Sequence, residues 1–139
     1  IVRKEELKAA WWPEICEGGY VFPTYEKTRN YQFIEPADDE DFDLFMDGSI
    51  VLIDTRGHSR GHQSVVLNLP KTGKTVLVSD AAPMKEVLEK TLLPATYIDS
   101  WQAVRSIRKL QHLESCGYKM IFAHDPENLP EKNFPEYFD

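Results

Sequence analysis

Three residues have the types and positions to hold a divalent cation. They are His62 in Gly57-His58-Ser59-Arg60-Gly61-His62-Gln63-Ser64, Asp80 closing the apolar run Thr75-Val76-Leu77-Val78-Ser79, and His124 after Ile121-Phe122-Ala123. Each falls at one end of an expected strand. Two imidazoles and a carboxylate suit a borderline or hard divalent ion, and strand ends are where α/β sheets present their working groups. They make half of a metal site, because the cluster that would supply the other half, of the form H-x-H-x-D-H, occurs nowhere in the 139 residues.

The Gly-His-x-x-Gly-His pattern puts a glycine before each histidine, so the backbone can turn tightly and approach an ion with no Cβ in the way. Of the two histidines, His62 is favoured as the ligand, because it leads directly into the strand at Gln63-Ser64; His58 is expected to support the loop. Asp80 ends a run of buried character, where an unpaired carboxylate is costly to desolvate, so it needs a cation or hydrogen-bond donors. Capping the helical segment that follows is the competing role. Asp125, beside His124, is placed to orient an imidazole as a supporting carboxylate does.

The elements that must position these groups follow from periodicity. Ile1-Val2 reads as the end of a strand, and Arg3 to Trp12 as a helix with Leu7, Ala10 and Trp11 on one side, closed by Pro13. Cys16 to Asp43 is irregular, with Gly18-Gly19, Pro23 and Pro36. It predicts a long excursion of the kind that covers an active site, whose aromatics, Tyr20, Phe22, Tyr25, Tyr31 and Phe33, serve mainly for packing. Ser49 to Asp54 predicts a strand, and Ser64 to Leu69 with Thr75 to Ser79 a hairpin joined by Pro70-Lys71-Thr72-Gly73-Lys74. Met84 to Leu92 allows one or two helical turns, ended by Pro94. A longer helix starts at Asp99 or Ser100, with Gln102 where a capping box puts its return partner. Trp101, Val104, Ile107, Leu110 and Leu113 are its expected inner face, Arg105, Arg108 and Lys109 its outer side, and Gly117 its stop. Lys119 to Ala123 is the final strand.

Composition narrows the classes. At 139 residues with 42% hydrophobic content the chain fits one domain with a real core. A net charge of -7 with no dense basic stripe argues against nucleic acid and anionic membrane as partners. The run Asp38-Asp39-Glu40-Asp41-Phe42-Asp43 lacks the alternating ligands and glycine of a calcium loop, and is expected to be a solvated face. Cys16 and Cys116 are too few for a disulfide framework, so a reducing, cytoplasmic setting is the expectation. No apolar stretch approaches the roughly 20 residues needed to span a bilayer. The chain opens at Ile1, in mid-strand and without methionine, which predicts a fragment.

Taken together, Thr55-Arg56-Gly57-His58-Ser59-Arg60-Gly61-His62-Gln63-Ser64, Val78-Ser79-Asp80-Ala81-Ala82 and Phe122-Ala123-His124-Asp125 resemble the metallo-β-lactamase superfamily, specifically its N-acyl-homoserine-lactonase-like branch. Phe134-Pro135-Glu136-Tyr137 is similar to the C-terminus of those lactonases, and Ile1-Val2-Arg3-Lys4-Glu5-Glu6 to the strand and helix that follow the family's H-x-H-x-D-H motif. The resemblance runs through nearly the whole chain but matches only the C-terminal half of the family's single domain.

That resemblance implies an α/β fold, the second half of an αββα sandwich, and two divalent ions, commonly zinc. His62 would complete the first metal site, Asp80 would bridge the ions and so act in catalysis, and His124 would bind the second. The absent motif would add two histidines to one ion and an Asp-His pair to the other. In the intact protein a bridging hydroxide would attack a lactone carbonyl, the activity behind quorum quenching. Three ligands spread over two ions leave each shell far short, so this chain alone should hold metal poorly and be inactive. The expected partners are a small-molecule lactone or ester, the missing N-terminal half and, as a homodimer, a second copy.

Three positions depart from the family pattern. Pro83 stands where a tyrosine is usual, three residues after the bridging aspartate; Arg56 replaces a usual proline and Ala123 a usual glycine. Two alternatives therefore stay open: another ester or thioester hydrolase of the superfamily, or a non-catalytic, degenerate α/β module.

Overall fold

The computed structural model describes residues 1–12, 20, 21, 23, 33, 34 and 40–126. β1 (Val2–Arg3) leads into α1 (Lys4–Trp11) and pairs in parallel with β2 (Phe33–Ile34). The main sheet has five strands in chain order: β3 (Phe42–Asp43), β4 (Ile50–Asp54), β5 (Gln63–Leu69), β6 (Gly73–Leu77) and β7 (Lys119–Ile121). All neighbours are antiparallel except β6 and β7. A parallel pair needs a crossover. Here it holds a short 3-10 turn (Ser79–Ala81), α2 (Lys85–Lys90) and α3 (Ser100–Ser115).

Period-two alternation sorts the sheet into two faces. Val51, Val66, Val76 and Met120 are register partners on one face, where Val87, Leu88, Ile107 and Leu110 of the helices complete the core. Leu52, Val65, Leu77 and Ile121 form a row on the other face, extended to the edge by Phe42, and Leu77 there is 37% exposed. A sheet with helices on one face and an apolar row on the other has the layering that half of an αββα sandwich requires.

The expected hairpin forms, with Gly73 at φ 82 in its turn. α3 is capped by Asp99, whose Oδ1 accepts from Gln102 N at 3.0 Å, but the return bond expected from the Gln102 side chain is replaced by Asp99 N donating to Gly57 O; at the other end Gly117, at φ 86, gives its N–H to Glu114 O. The expected inner face of α3 needs correction. Its buried residues are Ala103, Ser106, Ile107 and Leu110, while Trp101 is 85% exposed. Steps of three residues fall about 60° short of a full turn each, so a stripe counted only in threes drifts around the helix. Likewise the buried residue of α1 is Ala9, with Leu7, Ala10 and Trp11 only half-buried.

In the acidic run Glu40 and Asp41 are exposed, as a solvated face requires, yet Asp41 also bonds into the fold. Asp41 Oδ1 accepts from Asp54 N at 3.0 Å and pairs with Lys109, which therefore turns back from the outer side of α3. Asp54 is buried against Arg56 at 2.8 Å and Arg3 at 3.7 Å. The readings made for Pro13, Cys16, Gly18-Gly19, Phe22, Tyr25, Tyr31, Pro36, Asp38-Asp39 and Phe134-Pro135-Glu136-Tyr137 fall outside the described residues. Among the described residues no helix is long and apolar enough to cross a membrane.

Candidate metal centre

The loop between β4 and β5 is held from two sides. Gly57 adopts φ +133, and a Cβ there would lie 2.4 Å from Ala103 N in the first turn of α3, so only glycine lets the loop lie against that helix. Its carbonyl accepts from Ile98 N at 2.9 Å and Asp99 N at 3.1 Å. On the other side Gly61 N donates to Glu6 Oε2 at 2.6 Å, and a Cβ on Gly61 would meet Glu6 and Arg3.

This clamped loop presents His62 in one tautomer. Nδ1 lies 3.1 Å from Thr55 O and 2.9 Å from Thr55 Oγ1. A carbonyl can only accept, so Nδ1 carries the proton and Nε2 keeps its lone pair. The fully buried Thr55 hydroxyl is 2.9 Å from Ser64 Oγ, which donates to Val78 O at 2.8 Å. Donation therefore runs in one direction, from His62 through Thr55 and Ser64 to the end of β6. Burial holds the His62 imidazole below its ordinary pKa and His58 adds to this, against an opposing effect of Asp80. A neutral ring with a bare Nε2 is what a metal ligand must offer.

Asp80 sits in the 3-10 turn just past β6, after Ser79 at φ 54. Pairing of Leu77 with Ile121 sets the ends of β6 and β7 side by side. Across that step Asp80 Oδ1 and His124 Nε2 approach to 2.8 Å, and His124 N donates to Pro83 O at 3.0 Å. Asp80 is not the cap of α2, whose cap residue, Met84, has no side-chain bond to the helix. The carboxylate at the start of α2 belongs to Asp125, which is buried and accepts from Lys85 N at 3.2 Å.

His58 and Tyr97 complete the surroundings. The His58 ring meets His62 edge-on with centroids 5.8 Å apart and Tyr97 at 5.5 Å; its buried Nδ1 has no hydrogen-bond partner among the described residues. Tyr97 donates its hydroxyl to Ala81 O at 3.0 Å. Burial, helped by the Asp80 charge, pushes the phenol up to about 12, so it stays protonated at neutral pH.

The donor set fits part of a metal site. A neutral His62 and an Asp80–His124 pair supply the chemistry, yet among the described residues no three His, Cys, Asp or Glu side chains gather closely enough to enclose an ion. A closed shell needs further ligands. A pocket lined by Asp54, Arg56, Gln102, Arg105, Ser106 and Lys109 contains none of the three candidates. Within it Asp54 pairs with Arg56, and Lys109 with Asp41.

Sequence reasoning put His62, Asp80 and His124 near strand ends, and the structure places them just before β5, just past β6 and just past β7. Sequence reasoning missed Thr55, Ser64, Tyr97 and Glu6. For Thr55 and Ser64 a signal existed: hydroxyl residues flanking the histidine loop at facing strand ends. For Tyr97 and Glu6 none did, because their partners lie far along the chain.

No family model matches the chain. It is 32% identical over 143 residues to the N-acyl homoserine lactonase AttM of Azorhizobium caulinodans, a match covering 100% of this chain and 54% of that protein. The N-acyl homoserine lactonase AiiA of Bacillus thuringiensis subsp. kurstaki is 32% identical over 141 residues, covering 99% and 51%. A solved N-acyl homoserine lactone hydrolase with N-hexanoyl-L-homoserine, its product, at the catalytic metal centre superposes with a TM-score of 0.78. Identity to it is 30%, over 98% of this chain and 51% of that one. The chain thus spans about half the length of the curated relatives it matches.

Proposed function

Because the chain belongs to the N-acyl-homoserine-lactonase-like branch of the metallo-β-lactamase superfamily, we propose that it forms the second half of a metal-dependent hydrolase that opens lactone rings. The observation that carries this reading is the meeting of Asp80 and His124 at adjacent strand ends, together with a His62 fixed in its ligand tautomer. His62 is assigned to one divalent ion, His124 to a second and Asp80 to both, with zinc as the metal. The remaining ligands come from an H-x-H-x-D-H segment of the protein as encoded.

When bound, such ions supply Lewis acidity that makes hydroxide available near neutral pH and polarises the ester carbonyl. The chain's own residues prepare that site. Thr55 keeps the proton of His62 on Nδ1, so no proton competes for Nε2. Asp80 contributes negative charge where cations must gather. Water adds across the acyl–oxygen bond, giving a hydroxy acid, and no protein nucleophile is consumed.

The relatives are named for N-acyl homoserine lactones, and such a lactone is the substrate class proposed here. Pro83 favours a second reading, another ester or thioester within the superfamily, because proline offers no donor to the substrate where the branch usually has a tyrosine.

The protein as encoded should bind about two divalent ions per chain and hydrolyse members of a lactone panel, and Asp80→Asn should abolish turnover with the fold retained. Clearly lower metal content, or an Asp80→Asn protein with undiminished turnover, would overturn the assignment.

A further inference from the structure

We propose that Tyr97 is a positioning residue that fixes the Asp80 turn against the histidine loop, and so sets the spacing between the ligands these two segments contribute. The inference rests on the metal-site reading above and adds to it a residue that has no ligand atom.

Four contacts converge on one short segment. The Tyr97 hydroxyl donates to Ala81 O, the carbonyl next to Asp80, at 3.0 Å. The same ring stands edge-on to His58, centroids 5.5 Å apart, and His58 in turn stands edge-on to His62. The two residues after Tyr97 anchor its backbone to the same loop, Ile98 N and Asp99 N both donating to Gly57 O. Asp99 also caps α3, so the anchor is tied to the longest helix described. The phenol thus joins two segments that carry different candidate ligands, His62 on one and Asp80 on the other.

Two other ties flank the Asp80 turn: Ser64 Oγ donates to Val78 O at its start at 2.8 Å, and His124 N donates to Pro83 O at its far end at 3.0 Å. Ser79 at positive φ leaves the backbone there in a conformation that L residues adopt only when held. Without the Tyr97 bond, the Ala81 side of the turn loses its described tether while the Pro83 side keeps its own. Asp80 can then pivot relative to His62 while its neighbour His124 follows it.

The test uses the protein as encoded, loaded with cobalt(II), whose electronic spectrum reports ligand geometry. Tyr97→Phe keeps the ring against His58 and removes only the hydroxyl. The expected result is an altered cobalt spectrum and roughly tenfold weaker binding of at least one ion in chelator competition, the low end for lost supporting bonds, with Tm close to that of the parent. Tyr97→Phe with the parent's spectrum and affinity would overturn the proposal. So would a variant whose Tm falls while its cobalt spectrum and affinity stay unchanged, since the phenol would then only stabilise the fold. A parent protein that binds no cobalt overturns the metal-site reading itself, and this inference with it. The two failures are therefore told apart by the parent protein alone.

Discussion

Thr55 holds His62 with both of its oxygens, the carbonyl at 3.1 Å and the hydroxyl at 2.9 Å from the same ring nitrogen. Because the carbonyl suffices to set the tautomer, the hydroxyl's separate contribution is orientation, passed on through Ser64 to Val78. Thr55→Val keeps the shape and the carbonyl but removes the hydroxyl and leaves buried Ser64 short of a partner. Denaturant titration should show a loss of about 1–3 kcal/mol. Metal affinity, followed by chelator competition, should drop about 10-fold or more.

Gly57 and Gly73 separate two penalties. Both have positive φ, but a Cβ on Gly57 would collide with Ala103, whereas one on Gly73 meets nothing within 4 Å. Gly73→Ala should cost about 1–2 kcal/mol for the left-handed backbone alone. Gly57→Ala adds overpacking to backbone strain and should cost about 2–5 kcal/mol. Equal urea midpoints for the two variants would show that the loop does not press on α3.

The corrected inner face of α3 gives a matched pair as well. Leu110 is fully buried and Trp101 is 85% exposed. Leu110→Ala should destabilise by about 2–5 kcal/mol, and Trp101→Ser by no more than about 0.5 kcal/mol. Thermal or chemical unfolding distinguishes the two.

Alkaline titration tests the setting of Tyr97. Its phenol is pushed from an ordinary value of 10.0 up to about 12, chiefly by burial and then by the Asp80 charge. In the unfolded chain the proton leaves near 10, so the folded state holds it longer. The stability this contributes is fully present below pH 10 and lost as pH climbs toward 12. Tyrosinate absorbance should show one late-titrating tyrosine that is missing from Tyr97→Phe; a parent and variant with the same late phase would refute the assignment.

Much of the sheet was legible in the sequence because its signals are local. Alternation in Ser64–Leu69, the Gly73 turn and the Asp99 cap each depend on a few neighbouring residues, and each forms as expected. The candidate ligands were legible for the same reason, being polar groups that end apolar runs. Long-range partners were not. Nothing beside Glu6 indicates that it takes the N–H of Gly61, and nothing beside Asp41 indicates Asp54 and Lys109. Asp125 shows the same limit: read as a carboxylate that orients a histidine, it instead accepts from Lys85 N at the start of α2, a partner 40 positions away.

Parallel pairing of β6 with β7 separates the Asp80–His124 contact from much of the chain between them. The two residues are 44 positions apart, and what sets their meeting is the strand pairing together with the ends of the crossover, where Pro83 O accepts from His124 N and Ala81 O from Tyr97. The linker can therefore change at exposed points such as Leu92 and Leu93 without disturbing the contact. Insertions at those two positions should leave the contact in place, provided the strands still pair and the Tyr97 segment and the core helices stay where they are. A substitution at Pro83 that leaves its carbonyl in place, where it accepts from His124 N, is compatible with the pair being kept.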